Sequence, residues 1–169
     1  MRLFSNIISG MFHPLLMVTY GVVRALTVTY LAIYPPAMKL LLAGGAFLST
    51  AVIPGAFIFM MVKNGAAVDM ELSDRHERVV PYLIFITSIM VCAFYMYKMM
   101  LPFWFISLLL GACVALILAL LINFFWKISA HAIGTGGLLG GIMGVARIHL
   151  INPYWAFIIV ILIAGLMRR

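Results

Sequence analysis

Apolar residues run through this chain in long blocks separated by short polar turns. They do not alternate with polar ones. Six blocks approach the roughly 20 residues that a helix needs to cross a bilayer. They cover 12–34, 40–62, 80–98, 102–126, 129–149 and 153–167. Pro35 and Pro36 close the first block, and Arg168 and Arg169 follow the last. The blocks are long and continuously apolar, which excludes the alternating strands of a closed barrel and predicts helices. The expected fold is all-α: a polytopic membrane helix bundle of about six transmembrane helices, forming a single domain over residues 1–169.

Composition agrees with lipid as the solvent. Of 169 residues, 66% are hydrophobic and 9% charged, which is more apolar surface than a soluble interior of this size hides. A cleaved leader does not account for this, because the apolar blocks recur to the last residues. Cys92 and Cys113 fall inside apolar blocks and read as buried free thiols. No nucleotide-binding loop, nucleic-acid motif or metal-ligand cluster is present. No metal, cofactor or nucleic-acid partner is therefore expected.

Six spans place both termini on one membrane face, with the 63–79 loop and the 127–129 turn. That face carries Arg2, Lys63, Arg75, Arg78, Lys127, Arg168 and Arg169, against Lys39, Lys98 and Arg147 on the other. The excess of cations puts the first face in the cytoplasm. The expected location is the inner or plasma membrane of a bacterium. Arg24 lies midway along the first span, where a charge needs a partner or a wet cavity.

All four carboxylates lie in one short stretch, Asp69, Glu71, Asp74 and Glu77, interleaved with Arg75, His76 and Arg78. One reading is a solvated loop with weak local ion pairs. The other is a cationic clamp in which Arg75 and Arg78 grip an anion. The planar guanidinium suits that role, because it meets two phosphate oxygens at once. A second polar stretch opens the fifth block with Lys127, Ser129 and His131. Ser129 is a good helix cap. His131 then falls in the first turn, where outward amides and the helix dipole attract anions. A hydroxyl, a cation and a titratable imidazole there make a phosphate cradle with a general acid beside it. An interfacial cap with a snorkelling lysine is the plainer reading. Beyond it, Ala132, Gly136, Gly140 and Gly144 recur every four residues. This small-residue stripe is expected to face another helix at close range.

The pair of stretches "DRHERVVP" and "KISAHA" resembles the type 2 phosphatidic acid phosphatase superfamily, membrane enzymes acting on lipid phosphates and diphosphates. Ser129 and His131 match the serine and histidine of its second motif, and Arg78 matches the arginine of its first. Two valines separate Arg78 from Pro81, where the family places the proline directly after the arginine. Glu71 stands at the first-motif lysine, a role Arg75 would fill. The resemblance implies that His131 protonates the leaving group and that Arg75, Arg78, Lys127 and Ser129 hold the phosphate. The family's third motif supplies an attacking histidine and its aspartate. It has no match here; the enzyme reading would place it in a continuation beyond Arg169, whereas the non-catalytic reading does without it. His76, the histidine set among cations, is the substitute nucleophile. His149 is excluded, being 18 residues along the same helix from His131, about 27 Å away.

These readings give a membrane phosphatase-like protein that binds or hydrolyses a lipid phosphate or diphosphate. The alternative is a non-catalytic relative, serving as a headgroup binder or as a structural subunit with a membrane-protein partner or a second copy. A small transporter is a third class, suggested by Arg24 and Pro54 within spans. The lack of a carboxylate inside any span argues against it.

Overall fold

The computed structural model of the chain describes residues 14–65, 78–126 and 128–166. Among them every regular element is helical. In chain order these are α1 (Pro14–Val28), a 3₁₀ turn (Tyr30–Ile33), α2 (Pro36–Phe47), a π-helical turn (Leu48–Val52) and α3 (Ile53–Lys63). Then follow α4 (Val79–Lys98), α5 (Phe103–Asn123), α6 (Ala130–His149) and α7 (Tyr154–Leu166). Three helical stretches are long and apolar enough to cross a membrane: Pro36–Lys63, which joins α2 to α3, then α4, then α5. The protein is thus an all-α membrane protein.

The first predicted span ends earlier than its hydropathy suggests. Thr29 breaks it. Its Oγ1 donates to the carbonyl of Ala25 at 2.8 Å and accepts from the amide of Leu31 at 3.2 Å. A threonine that satisfies the backbone on both sides offers the chain an alternative to the helical ladder. The backbone at Thr29 turns extended, and the short 3₁₀ turn begins there.

The chain forms two compact units. One comprises Met1–Ala43 and Ser129–Arg169, the other Gly44–Ile128. In the first, α6 packs against α1 and α7. Its core is Met17, Leu138, Ile142 and Val160, flanked by Tyr20, Leu139 and Ala156. The buried face of α6 is Thr135, Leu138, Ile142 and Val145, so the expected role of the glycine stripe is corrected. Ala132, Gly136 and Gly140 are exposed. A methyl group on Gly136 or Gly140 would meet nothing within 4 Å. The leucine-rich face was chosen because Leu138 and Ile142 fill space against α1 and α7 that glycines leave empty. Asn152 starts α7, accepting from the amide of Tyr154 at 3.0 Å, with Pro153 where its missing N–H is harmless.

In the second unit, α4 and α5 form a hairpin, and α3 with the π turn packs on α4. Residues at three- and four-residue spacing face inward: Tyr82, Phe85, Ile89, Cys92 and Met96 from α4, and Phe105, Leu109, Cys113, Leu116 and Asn123 from α5. The thiol of Cys113 approaches the carbonyl of Ile86 at 3.9 Å, which sets the antiparallel register. Exposed Phe103 precedes most of α5, and exposed Phe125 and Trp126 follow it. The 21 residues of α5 rise about 32 Å, close to the hydrocarbon thickness of a bilayer, so these aromatics stand where interfacial belts form.

The π turn is placed by sequence chemistry. Pro54 has no N–H to give to the ladder. The amide of Ile53 reaches back five residues to the carbonyl of Leu48. The hydroxyls of Ser49 and Thr50 bond to the carbonyls of Gly45 and Ala46, both at 2.8 Å. These bonds satisfy backbone groups in a region where water is absent.

Candidate functional site

Arg78 is the best-defined of the residues expected to hold phosphate. It caps the N-terminal end of α4 with helical backbone angles and is half-buried. Its Nη1 donates to the carbonyl of Ile128, fifty residues on. This bond ties the start of α4 to the turn that follows α5. Electrostatically the position is unusual. A guanidinium stands at the positive end of a helix dipole, where anions are favoured and cations disfavoured.

Two further polar groups lie at that end of the α4–α5 hairpin. Tyr82 is one helical turn beyond Arg78, with its amide bonded to the Arg78 carbonyl at 3.0 Å. Its side chain is 7% exposed. Its hydroxyl has no hydrogen-bond partner among the described residues. Asn123, 1% exposed, ends α5. The antiparallel register set by Cys113 and Ile86 brings the last turn of α5 to the first turn of α4. Sequence reasoning missed both residues. The signals were present: Tyr82 is four residues from Arg78, hence on its face, and Asn123 is an amide at the end of an otherwise apolar helix.

Ser129 and His131 belong to the other unit. Ser129 caps α6 with extended backbone, its Oγ accepting from the amide of Ala132 at 3.4 Å. The bond is long, and Ser129 is exposed. His131 is half-buried in the first turn. Its carbonyl is held by the hydroxyl of Thr135 at 2.8 Å, which fixes the turn that carries the imidazole. Arg75, His76 and Lys127 lie outside the described residues. Arg24, on α1, is half-buried, and its carbonyl accepts from Thr27 Oγ1 at 3.0 Å. His149 ends α6, packed edge-on against the ring of Tyr30 at 5.5 Å between centroids. It is a packing residue at the far end of the helix that His131 begins.

Comparison of the chain with protein-family models, with curated proteins and with solved structures finds no match. Chemistry must therefore be argued from the residues themselves. Arg78 offers a fixed positive charge, Tyr82 an O–H donor, and the start of α6 a hydroxyl, outward amides and an imidazole. Each of these suits an anion with several acceptor oxygens. An apolar groove of about 340 Å³ lies elsewhere in the second unit, lined by Ser49, Ile53, Phe57, Leu83 and Thr87 among others. It carries no charged side chain and suits hydrocarbon.

Proposed function

We propose that this membrane protein binds the phosphate group of a lipid phosphate or diphosphate. The observation that carries the reading is Arg78. Its half-buried guanidinium is held at the start of α4 by a bond from Nη1 to the Ile128 carbonyl, and a planar guanidinium can meet two phosphate oxygens at once. A lipid tail fits the apolar surface of the span-length helices around it. Hydrolysis is the second reading. It is favoured by His131 in the first turn of a capped helix, where an imidazole can protonate a leaving oxygen.

The test uses the full chain reconstituted in nanodiscs. Retention of phosphatidic acid over diacylglycerol is measured by native mass spectrometry, and phosphate release is followed in parallel. The expected result is selective retention that Arg78→Ala abolishes. Equal retention of the two lipids overturns the reading. Phosphate release that His131→Ala abolishes establishes the hydrolase, and binding without release establishes the headgroup binder.

A further inference from the structure

The apolar groove of the second unit lies between two stripes of side chains. Ser49, Ile53 and Phe57 recur every four residues along the π turn and α3, and Leu83, Thr87 and Val91 do so along α4. Each stripe rises about 12 Å. Ile53, Phe57, Leu83 and Val91 are exposed and form its walls, while the short side chains of Ser49 and Ser88 are buried at its base. Both stripes fall in the middle of stretches long enough to cross a membrane, Pro36–Lys63 and α4. The medium at that depth is hydrocarbon.

Chemistry and size narrow the occupant. The Ser49 hydroxyl donates to the carbonyls of Gly45 at 2.8 Å and Ala46 at 3.2 Å, and the Thr87 hydroxyl donates to that of Leu83 at 2.9 Å. With those protons committed to their own helices and no charged side chain in the lining, the groove offers a polar headgroup little to bind. A volume of about 340 Å³ over about 12 Å of helix axis is a mean section near 28 Å². An α-helix with its side chains is about 10 Å wide, nearly three times that section, so the slot is too narrow for a helix of a second copy. An extended alkyl chain is the membrane component that is both apolar and thin.

We infer that this groove is a binding site for the acyl chain of a bilayer lipid. The inference is independent of the phosphate-binding reading, since none of the lining residues is a proposed phosphate ligand. The surrounding lipid is as apolar as the groove, so the hydrophobic effect gives no preference. Shape does: a chain in the slot touches protein on both sides, and gains dispersion contacts that a chain on a convex helix face lacks.

The experiment places the full chain in phosphatidylcholine nanodiscs containing a phosphatidylcholine with a diazirine toward the methyl end of one acyl chain. After illumination, labelled residues are mapped by mass spectrometry in the parent and in Thr87→Phe, whose ring fills the slot. In the parent, labelling of Ile53, Phe57 and Val91 is expected to exceed that of Val114 and Ile117, exposed residues near the middle of α5, by about threefold, because dispersion contacts are individually small. In Thr87→Phe the groove labelling is expected to fall to the α5 level, with Val114 and Ile117 unchanged. Equal labelling of groove and α5 in the parent overturns the inference and leaves the groove as ordinary lipid-facing surface. Groove labelling below the α5 level also overturns it, and shows that protein covers the slot. The parent comparison decides between these outcomes whether or not Thr87→Phe folds.

Discussion

The ring of Tyr95 lies against the backbone of Gly45, leaving no room for a side chain there. A methyl group on Gly45 would stand 2.9 Å from Cζ of Tyr95 and closer still to Cε1. Gly45→Ala gains about 1 kcal/mol in helix propensity. Forcing extra volume into a packed site costs about 1–3 kcal/mol. The clash is with a ring rather than a flexible tip, so the loss wins. The melting temperature of Gly45→Ala in detergent should fall, and the added change Tyr95→Leu should restore part of it.

Gly140 predicts the opposite sign. Open space surrounds it, so Gly140→Ala should raise stability by up to about 1 kcal/mol. Gly140→Leu should leave the melting temperature unchanged or higher. Leu138, two residues away, is buried, and its Cδ1 approaches the Cβ position of Gly21 at 3.7 Å. Leu138→Ala should cost about 2 kcal/mol or more. If Gly140→Leu destabilises as much as Leu138→Ala, the assigned faces of α6 are reversed.

Met100 closes α4 with a φ of 59°. The amide of Leu101 reaches the carbonyl of Met96 at 3.2 Å, and that of Met100 reaches Tyr97 at 3.0 Å, the pairing of a helix end that favours glycine. The Met100 side chain is 86% exposed, so it contributes little packing. Met100→Gly should therefore stabilise the protein by about 1 kcal/mol, read as a higher melting temperature with unchanged lipid retention.

Arg78→Ala should destabilise the ligand-free protein even though it removes a cation from the wrong end of a helix dipole. The dipole relief is about 0.3–1 kcal/mol. The lost charge-assisted bond to the Ile128 carbonyl is about 1.5–3 kcal/mol. Arg78→Lys, which keeps the charge but not the planar fork, should recover less than half of the loss. Hydrogen exchange at the first turn of α4 reports it locally.

Most of the helices were legible because their limits have simple causes. The predicted blocks at 80–98 and 102–126 match α4 and α5 to within a few residues, with Lys98 ending one and Pro102 preceding the other. The break at Thr29 was not legible from hydropathy. It depends on which of two backbone groups a hydroxyl chooses. The faces of α6 were misread for a related reason. In lipid no hydrophobic force distinguishes a glycine face from a leucine face, and both spacings are helical. The Ser129 cap was readable from residue type alone. Tyr82 was not, because a tyrosine in a membrane helix reads as an ordinary aromatic until its hydroxyl is seen buried, with no acceptor among the described residues.

The π turn at Leu48–Val52 means that the helix from Pro36 to Lys63 holds one residue more than an unbroken α-helix would over that turn. Removing one residue between 48 and 52 would let the segment close as an unbroken α-helix and keep the faces on either side in place. Removing one between 55 and 57, in regular helix, would instead turn everything after it by about 100°, and Ile58, now buried, would swing toward lipid. The extra residue is thus slack that the turn absorbs, and the same one-residue deletion should be tolerated at 48–52 and damaging at 55–57.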